Sequence, residues 1–300
     1  MRLAEKLVLP AILLALPLLG ACSEPPRPNF VVITVDTLRA DYLGFYGDSS
    51  ARTPRLDALA AAATVFDSAA APMPITRPSH FSMLTSKYPR EHGVLNNSTS
   101  LPESALTLAE ILRTSGYSTA AFVGTRLLGR GSGSAQGFGR FKSTGSRRER
   151  PARQVVSRAL EWLQGQSEDE PFFLWVHLFD PHMPYAPPEE FRPAGAGELT
   201  SIAWQELDAI AADNDGDVPA PILEQVQHLY RGEIAYTDHW IGRLLDGLDA
   251  RFDPDDTLVV LTADHGECFE NGIYFDHAHC LFEPAMRIPL LVRYPAQFRA

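Results

Sequence analysis

The sequence predicts an α/β domain in which helices sandwich a central, mostly parallel sheet. Three observations carry that prediction. Four short runs, Phe30–Val35, Thr119–Gly124, Pro171–Phe179 and Thr257–Thr262, are nearly continuous in apolar and β-branched residues, as parallel strands buried on both faces require. Stretches with helical apolar spacing lie between them. Three of the runs also stop on polar groups: Asp36, then Asp180 with His182, then Asp264 with His265. The carboxyl ends of strands are where open α/β sheets place their ligands. A chain of 300 residues, 45% hydrophobic and 21% charged, is long enough for one large domain with a buried core. Its formal charge of −11 argues against nucleic acid as a partner, because neutralising phosphates needs a basic face. That charge says little about small anions, since a metal ion reverses the local field.

The first 28 residues read as separate from the fold. Arg2 and Lys6 precede an apolar, proline-interrupted core from Leu7 to Gly20, too short to span a bilayer comfortably. The following Ala21-Cys22 resembles the end of a bacterial lipoprotein signal. That likeness implies removal of residues 1–21 and lipidation of Cys22, so that acyl chains tether the protein to a membrane of the cell envelope, facing the periplasm or the cell surface. A plain secretory signal is the alternative reading. Residues 22–28, rich in proline, form a stiff tether, and 29–300 form the domain.

Within the domain, Phe30–Val35 is the first strand and ends in Asp36-Thr37-Leu38-Arg39. Asp36 reads either as a helix or turn cap or as a ligand. Arg52 to Phe66 is amphipathic and reads as a packing helix. In Pro72 to Val94, Pro78 biases Arg77 away from helix and predicts a turn after Thr76, with Ser79 as N-cap of a helix through Leu84. The Thr76 hydroxyl then sits at a helix N-terminus, which suits an incoming anion. Leu106–Ser115 is a helix stopped by Gly116, and Thr119–Gly124 is the second strand. Gly129 to Arg150 is rich in Gly, Ser and Arg, a loop that either bends over an anionic substrate or is merely solvated. Ala152–Gln164 is a helix, and Pro171–Phe179 is the third strand, carrying His177 inside it.

Glu189 to Pro221 is an acidic surface insertion, and Ile222 to Phe252 a long helix docked on the sheet. Thr257–Thr262 is the fourth strand. The adjacent Asp264 and His265 after it supply one oxygen and one nitrogen ligand, and Gly266 lets the backbone turn sharply. His277 and His279 follow in a loop before the strand-like Ile288–Arg293. The grouping of His177 with His182, of His265, and of His277 with His279 at strand ends calls for a metal. Once Cys22 is set aside, Cys268 and Cys280 either pair as a disulfide or remain two buried thiols.

Pro72 to Val94 resembles the active-site signature of sulfatases and of the wider alkaline phosphatase superfamily. There a nucleophile, any residue, Pro, Ser and usually Arg open a helix, followed by a leucine-threonine run, Tyr-Pro and His-Gly-Val. Thr76, Pro78, Ser79, Leu84, Thr85, Tyr88, Pro89, His92, Gly93 and Val94 fall in those places. With its flanking pieces the resemblance covers roughly Asn29 to Pro295. It implies an alkaline-phosphatase/sulfatase-like sheet, with a smaller carboxyl-terminal subdomain that the 300 residues do not supply. Tyr230, Glu233 and Asp238 match a family pattern in the long helix and are taken as structural.

The same resemblance implies a single metal site made by Asp36, Thr76, Asp264 and His265, with Thr76 as both ligand and nucleophile. Arg77, His182 and His277, with His80 and Lys87, would then contact the charged oxygens of a small anionic ester. Asp180, His182 and His277 would supply a second metal, if there is one. Four departures separate the chain from the sulfatases proper: Thr37 for a second Asp, Thr76 for the Cys or Ser that becomes formylglycine, His80 for an Arg, and His265 for an Asn. Nitrogen with carboxylate favours Zn²⁺ or Mn²⁺ over Ca²⁺. The expectation is a hydrolase or transferase of phosphate esters, diesters foremost. Sulfate-ester hydrolysis on the same Thr76 and a binding protein without turnover are the alternatives.

Overall fold

The computed structural model describes residues 27–145, 149–193, 197, 199–270 and 277–294. The expected signal segment, Cys22 and most of the tether lie outside the described residues. Among those described, no helix is long and apolar enough to cross a membrane.

The strands are β1 (Asn29–Val35), β2 (Thr64–Val65), β3 (Ala69–Ala70), β4 (Ser118–Val123), β5 (Arg140–Lys142), β6 (Phe172–Leu178), β7 (Thr257–Ala263), β8 (Arg287–Ile288) and β9 (Leu290–Arg293). Seven form one sheet in the order β2-β9-β7-β1-β6-β4-β5, and β3 pairs with β8. The pairs among β7, β1, β6, β4 and β5 are parallel, whereas β9 runs antiparallel to both β7 and β2. The four strands expected from the apolar runs are the four central ones, and every residue of β6 is buried.

The helices are α1 (Pro54–Ala61), α2 (Thr76–Thr85), α3 (Pro89–His92), α4 (Leu108–Thr114), α5 (Ala152–Gln164), α6 (Trp204–Ala212), α7 (Ala220–Asp249) and α8 (Glu283–Met286). Alternation along the strands sends Val31, Ile33 and Val35 into one apolar cluster with buried side chains of α1, α5 and α7. Phe173 and Trp175 go to the other face, against Phe81 and Leu84 of α2 and Ala109 and Leu112 of α4.

Several expectations are corrected. The helix expected over 52–66 stops at Ala61, and the chain turns into β2. The acidic insertion contains α6. The basic loop contributes the edge strand β5, and the strand expected over 288–293 splits between two sheets. Helix α2 begins at Thr76, with Ile75 rather than Ser79 as its N-cap. Pro78 falls in the first turn, where its missing N–H costs nothing. Cys268 and Cys280 are joined in a disulfide, their Cα atoms 6.4 Å apart.

Candidate active site

Register builds the site. In-register pairing of β1 with β7 sets Val35 opposite Ala263, so the next residues, Asp36 and Asp264, emerge side by side at the sheet edge. On the other flank of β1, Thr34 lies opposite His177 of β6, and the His177 Nε2 is 3.4 Å from Asp36 Oδ2. The Gly266 N–H donates to the Ala285 carbonyl at 2.8 Å. A Cβ at Gly266 would overlap the Pro284 carbonyl oxygen, so the turn after His265 requires glycine. His265 Nδ1 lies 2.9 Å from the Gly266 carbonyl, which places its proton there and leaves the Nε2 lone pair facing the carboxylates. That Nε2 is 3.3 Å from Asp264 Oδ2 and 3.9 Å from Asp36 Oδ1.

Helix α2 closes the site from above. The Ser79 hydroxyl donates to the Asp264 carbonyl at 2.7 Å. His80 Nδ1 lies 2.8 Å from the Thr76 carbonyl and 3.4 Å from Asp264 Oδ2, so one ring links the Thr76 backbone to the carboxylate. Thr76 itself is fully buried, and among the described residues its hydroxyl oxygen has no hydrogen-bond partner.

The loop after Asp36 is held by the long helix. Thr37 adopts φ 54°, rare for a β-branched residue and concentrated at functional sites. The Tyr230 hydroxyl donates to the Thr37 carbonyl at 2.6 Å and accepts the Arg39 N–H at 3.0 Å. The N–H groups of Thr37 and His265 both donate to Asp264 Oδ1, at 3.3 and 2.9 Å.

What these contacts leave open is a set of buried atoms without partners among the described residues: both Asp36 oxygens, Asp264 Oδ2, His265 Nε2 and the hydroxyls of Thr37 and Thr76. Leaving such groups unpaired is costly. Burial raises the pKa of Asp36, but the His177 contact and the nearby His182 and His265 outweigh it and hold the carboxyl well below its usual range. Burial and the Asp36 charge push Asp264 well above its own. Burial, then His277, keeps His265 neutral, and burial with His177 lowers His80 to about 3. Neutral imidazole beside paired carboxylates is a donor set for a cation. Asp36, Asp264 and His265 offer three ligand atoms within 4.8 Å of one another. Tetrahedral bonds of about 2.1 Å would set ligand atoms roughly 3.4 Å apart, so the residues fit a divalent ion with little movement.

Other expected site residues stand elsewhere. Arg77 turns away: its Nε donates to the Leu127 carbonyl at 2.7 Å and its Nη1 to the Thr99 carbonyl at 3.1 Å. Its backbone N–H donates to Asn97 Oδ1 and that of Ser79 to the Ile75 carbonyl, so those N–H groups of α2 are spent on the protein rather than on an anion. His80 is fully buried behind Thr76 and Asp264, a positioning residue and not a substrate contact. Lys87 is exposed beyond the far end of α2, about 16 Å along the axis from Thr76.

Asp180 accepts the Ala152 N–H with both oxygens, at 3.0 and 2.8 Å, and so caps α5. It joins neither His182 nor His277 in a ligand cluster, and among the described residues the Asp36, Asp264 and His265 group is the one gathered for a metal. His182 and His277 do border the centre. The His277 ring stacks on His265 at 4.3 Å and meets His182 edge-on at 5.3 Å. Tyr230, read from the sequence as structural, holds the Thr37 loop, whereas sequence reasoning undervalued His177 and assigned Glu267 no role, although its Oε1 lies 3.1 Å from His277 Nδ1.

The sulfatase family model matches residues 28–300. The chain belongs to the sulfatase family. It is 29% identical to an ulvan-active sulfatase of Formosa agariphila across 91% of its own length, and spans 57% of that relative. Human iduronate 2-sulfatase is 24% identical over 90% of the chain and 60% of the relative. Among solved structures, the sulfatase-family fold superposes with a TM-score of 0.75 on a protein solved with its substrate D-glucosamine-2-N,6-O-disulfate, covering 90% of this chain and 71% of that one at 20% identity. A phosphonate monoester hydrolase of Agrobacterium radiobacter gives a TM-score of 0.72 at 22% identity, covering 90% and 68%.

Proposed function

We propose that this sulfatase-family chain is a metal-dependent hydrolase, or transferase, of phosphate esters, diesters foremost, with Thr76 as nucleophile. The observation that carries the reading is the cluster of Asp36, Asp264 and His265, whose ligand atoms lie within 4.8 Å of one another, with Thr76 tied to Asp264 through His80 and its buried hydroxyl left without a hydrogen-bond partner among the described residues. Asp36, Asp264, His265 and Thr76 would hold one divalent ion, Zn²⁺ or Mn²⁺ in preference to Ca²⁺ given the nitrogen ligand. Bound there, it would offset the carboxylate charges and lower the pKa of the threonine hydroxyl.

The protein's part is then positional and acid–base. His80 and Ser79 fix Thr76 and Asp264 against each other, so the hydroxyl is presented at the sheet edge with little freedom to lose. The Thr76 oxygen bonds to phosphorus while the bond to the ester oxygen breaks. His182, whose Nδ1 lies 2.7 Å from the Met183 carbonyl, is placed to serve the departing alcohol from Nε2. Water then attacks the phosphorus on Thr76, restoring the hydroxyl and releasing a phosphate monoester when the substrate is a diester, or a second alcohol takes the phosphoryl group in a transferase.

The second reading is sulfate-ester hydrolysis on the same threonine, favoured by the ulvan-active sulfatase relative. Assays of metal-loaded protein with bis-p-nitrophenyl phosphate and p-nitrophenyl sulfate separate the two. The first reading expects the diester to be preferred, with Thr76→Ala lowering kcat by about 10³ or more. Faster turnover of the sulfate ester would install the second. We further propose that acyl chains on Cys22 anchor the protein to the cell envelope, on the residues that resemble a lipoprotein signal.

A further inference from the structure

A cavity of about 510 Å³ opens beside the candidate centre, with His182 in its wall. Because His182 meets His277, which stacks on His265, the cavity adjoins the side of the centre from which an alcohol would depart. Phe179 and Tyr236 give it an apolar lining, and its charge is lopsided. Glu149, Asp180 and Glu233 supply three carboxyl groups against the single guanidinium of Arg150.

Glu233 is the telling residue. It is 6% exposed, and its Oε1 accepts the Ala186 N–H at 2.7 Å. Among the described residues its Oε2 has no hydrogen-bond partner, although the side chain lines the cavity. Burial, reinforced by Asp180, drives its pKa well above the carboxyl range, and burial raises Asp180 to about 7. An acid kept protonated in this way ionises when a cation arrives, because the cation supplies the missing counter-charge. A primary ammonium fits better than a guanidinium or a neutral hydroxyl, because it brings three N–H donors on a compact head to acceptor-only carboxylates.

We propose that this cavity is the leaving-group subsite and that it takes alcohols carrying a primary ammonium, with Glu233 as the anchor. The assignment rests on the ester-hydrolase reading above, but its test does not require turnover. Benzylamine and benzyl alcohol share a body suited to the apolar wall and differ in the group offered to Glu233. Calorimetric titration of the purified full chain at pH 7.5 is expected to show benzylamine binding about tenfold more tightly, the scale of one charge-assisted hydrogen bond.

The heat should vary with the ionisation enthalpy of the buffer, since the carboxyl releases a proton as the ammonium docks. Glu233→Gln, which retains an acceptor for the Ala186 N–H, should bring the two ligands within about twofold. Equal binding by the parent protein, a buffer-independent heat, or a preference that survives in a folded Glu233→Gln variant would overturn the assignment. Hydrolysis of neutral diesters without any benzylamine preference would refute the subsite alone. Amine preference without ester turnover would count against the hydrolase reading and leave the cavity's ligand class standing.

Discussion

Replacing Tyr230 by Phe removes one oxygen and tests how the site is held. That oxygen donates to the Thr37 carbonyl at 2.6 Å and accepts the Arg39 N–H at 3.0 Å, in a fully buried position. Phenylalanine fills the same space and leaves both backbone groups unpaired away from water. At about 1–3 kcal/mol for each unsatisfied buried group, the loss should total about 2–6 kcal/mol, a large share of a domain stability of roughly 5–15 kcal/mol. For a domain of this size that corresponds to a fall of about 4–24 °C in Tm, at about 2–4 °C per kcal/mol.

Thr37 holds its unfavourable φ of 54° only while the loop is pinned. The variant should therefore also let Asp36 shift, with metal affinity falling about 10- to 100-fold, as for other residues that orient a ligand. Urea unfolding measures the first effect and Zn²⁺ titration the second. A stability change under about 0.5 kcal/mol together with unaltered metal affinity would refute the reasoning, because the hydroxyl would then hold nothing.

Gly266→Ala should cost about 2 kcal/mol or more and weaken metal binding, since its Cβ meets the Pro284 carbonyl in the turn that aims His265; thermal melts with and without Zn²⁺ check this. Asp180, raised from 3.8 to about 7 in the fold, binds more protons folded than unfolded across that window. Its contribution to stability therefore falls as pH rises from about 4 to about 7, by roughly 4 kcal/mol. Urea midpoints of Asp180→Asn against pH should lose that slope, and an unchanged slope would contradict it. Cys22→Ala should move the protein from the detergent-extracted to the soluble envelope fraction on immunoblots, as loss of the acyl chains predicts.

How much could be read beforehand follows from the range of the forces involved. The central strands are legible because burial on both faces leaves no choice of residue type, so Phe172–Leu178 announces itself. Asp36 and Asp264 were legible as strand-end groups, yet their adjacency depends on the pairing of Val35 with Ala263, some 230 positions apart in the chain. Strands as short as Thr64–Val65 carry no period, and their existence rests on the partner strand β9. Arg77 reads from the sequence as a substrate contact because it sits between the proposed nucleophile Thr76 and Pro78. The carbonyls of Thr99 and Leu127, contributed by distant loops, claim its guanidinium instead. His177 was undervalued for the converse reason: inside an apolar run a polar side chain reads as core until its partner is in view.

The account turns on one oxygen and three ligands sharing a cation. Diffraction from crystals grown with Mn²⁺, recorded for its anomalous signal, locates that ion directly. A single peak within about 2.5 Å of the Thr76 hydroxyl, Asp36, Asp264 and His265 Nε2 is the predicted result. A peak whose inner shell omits Thr76, or no peak among those residues, would contradict it.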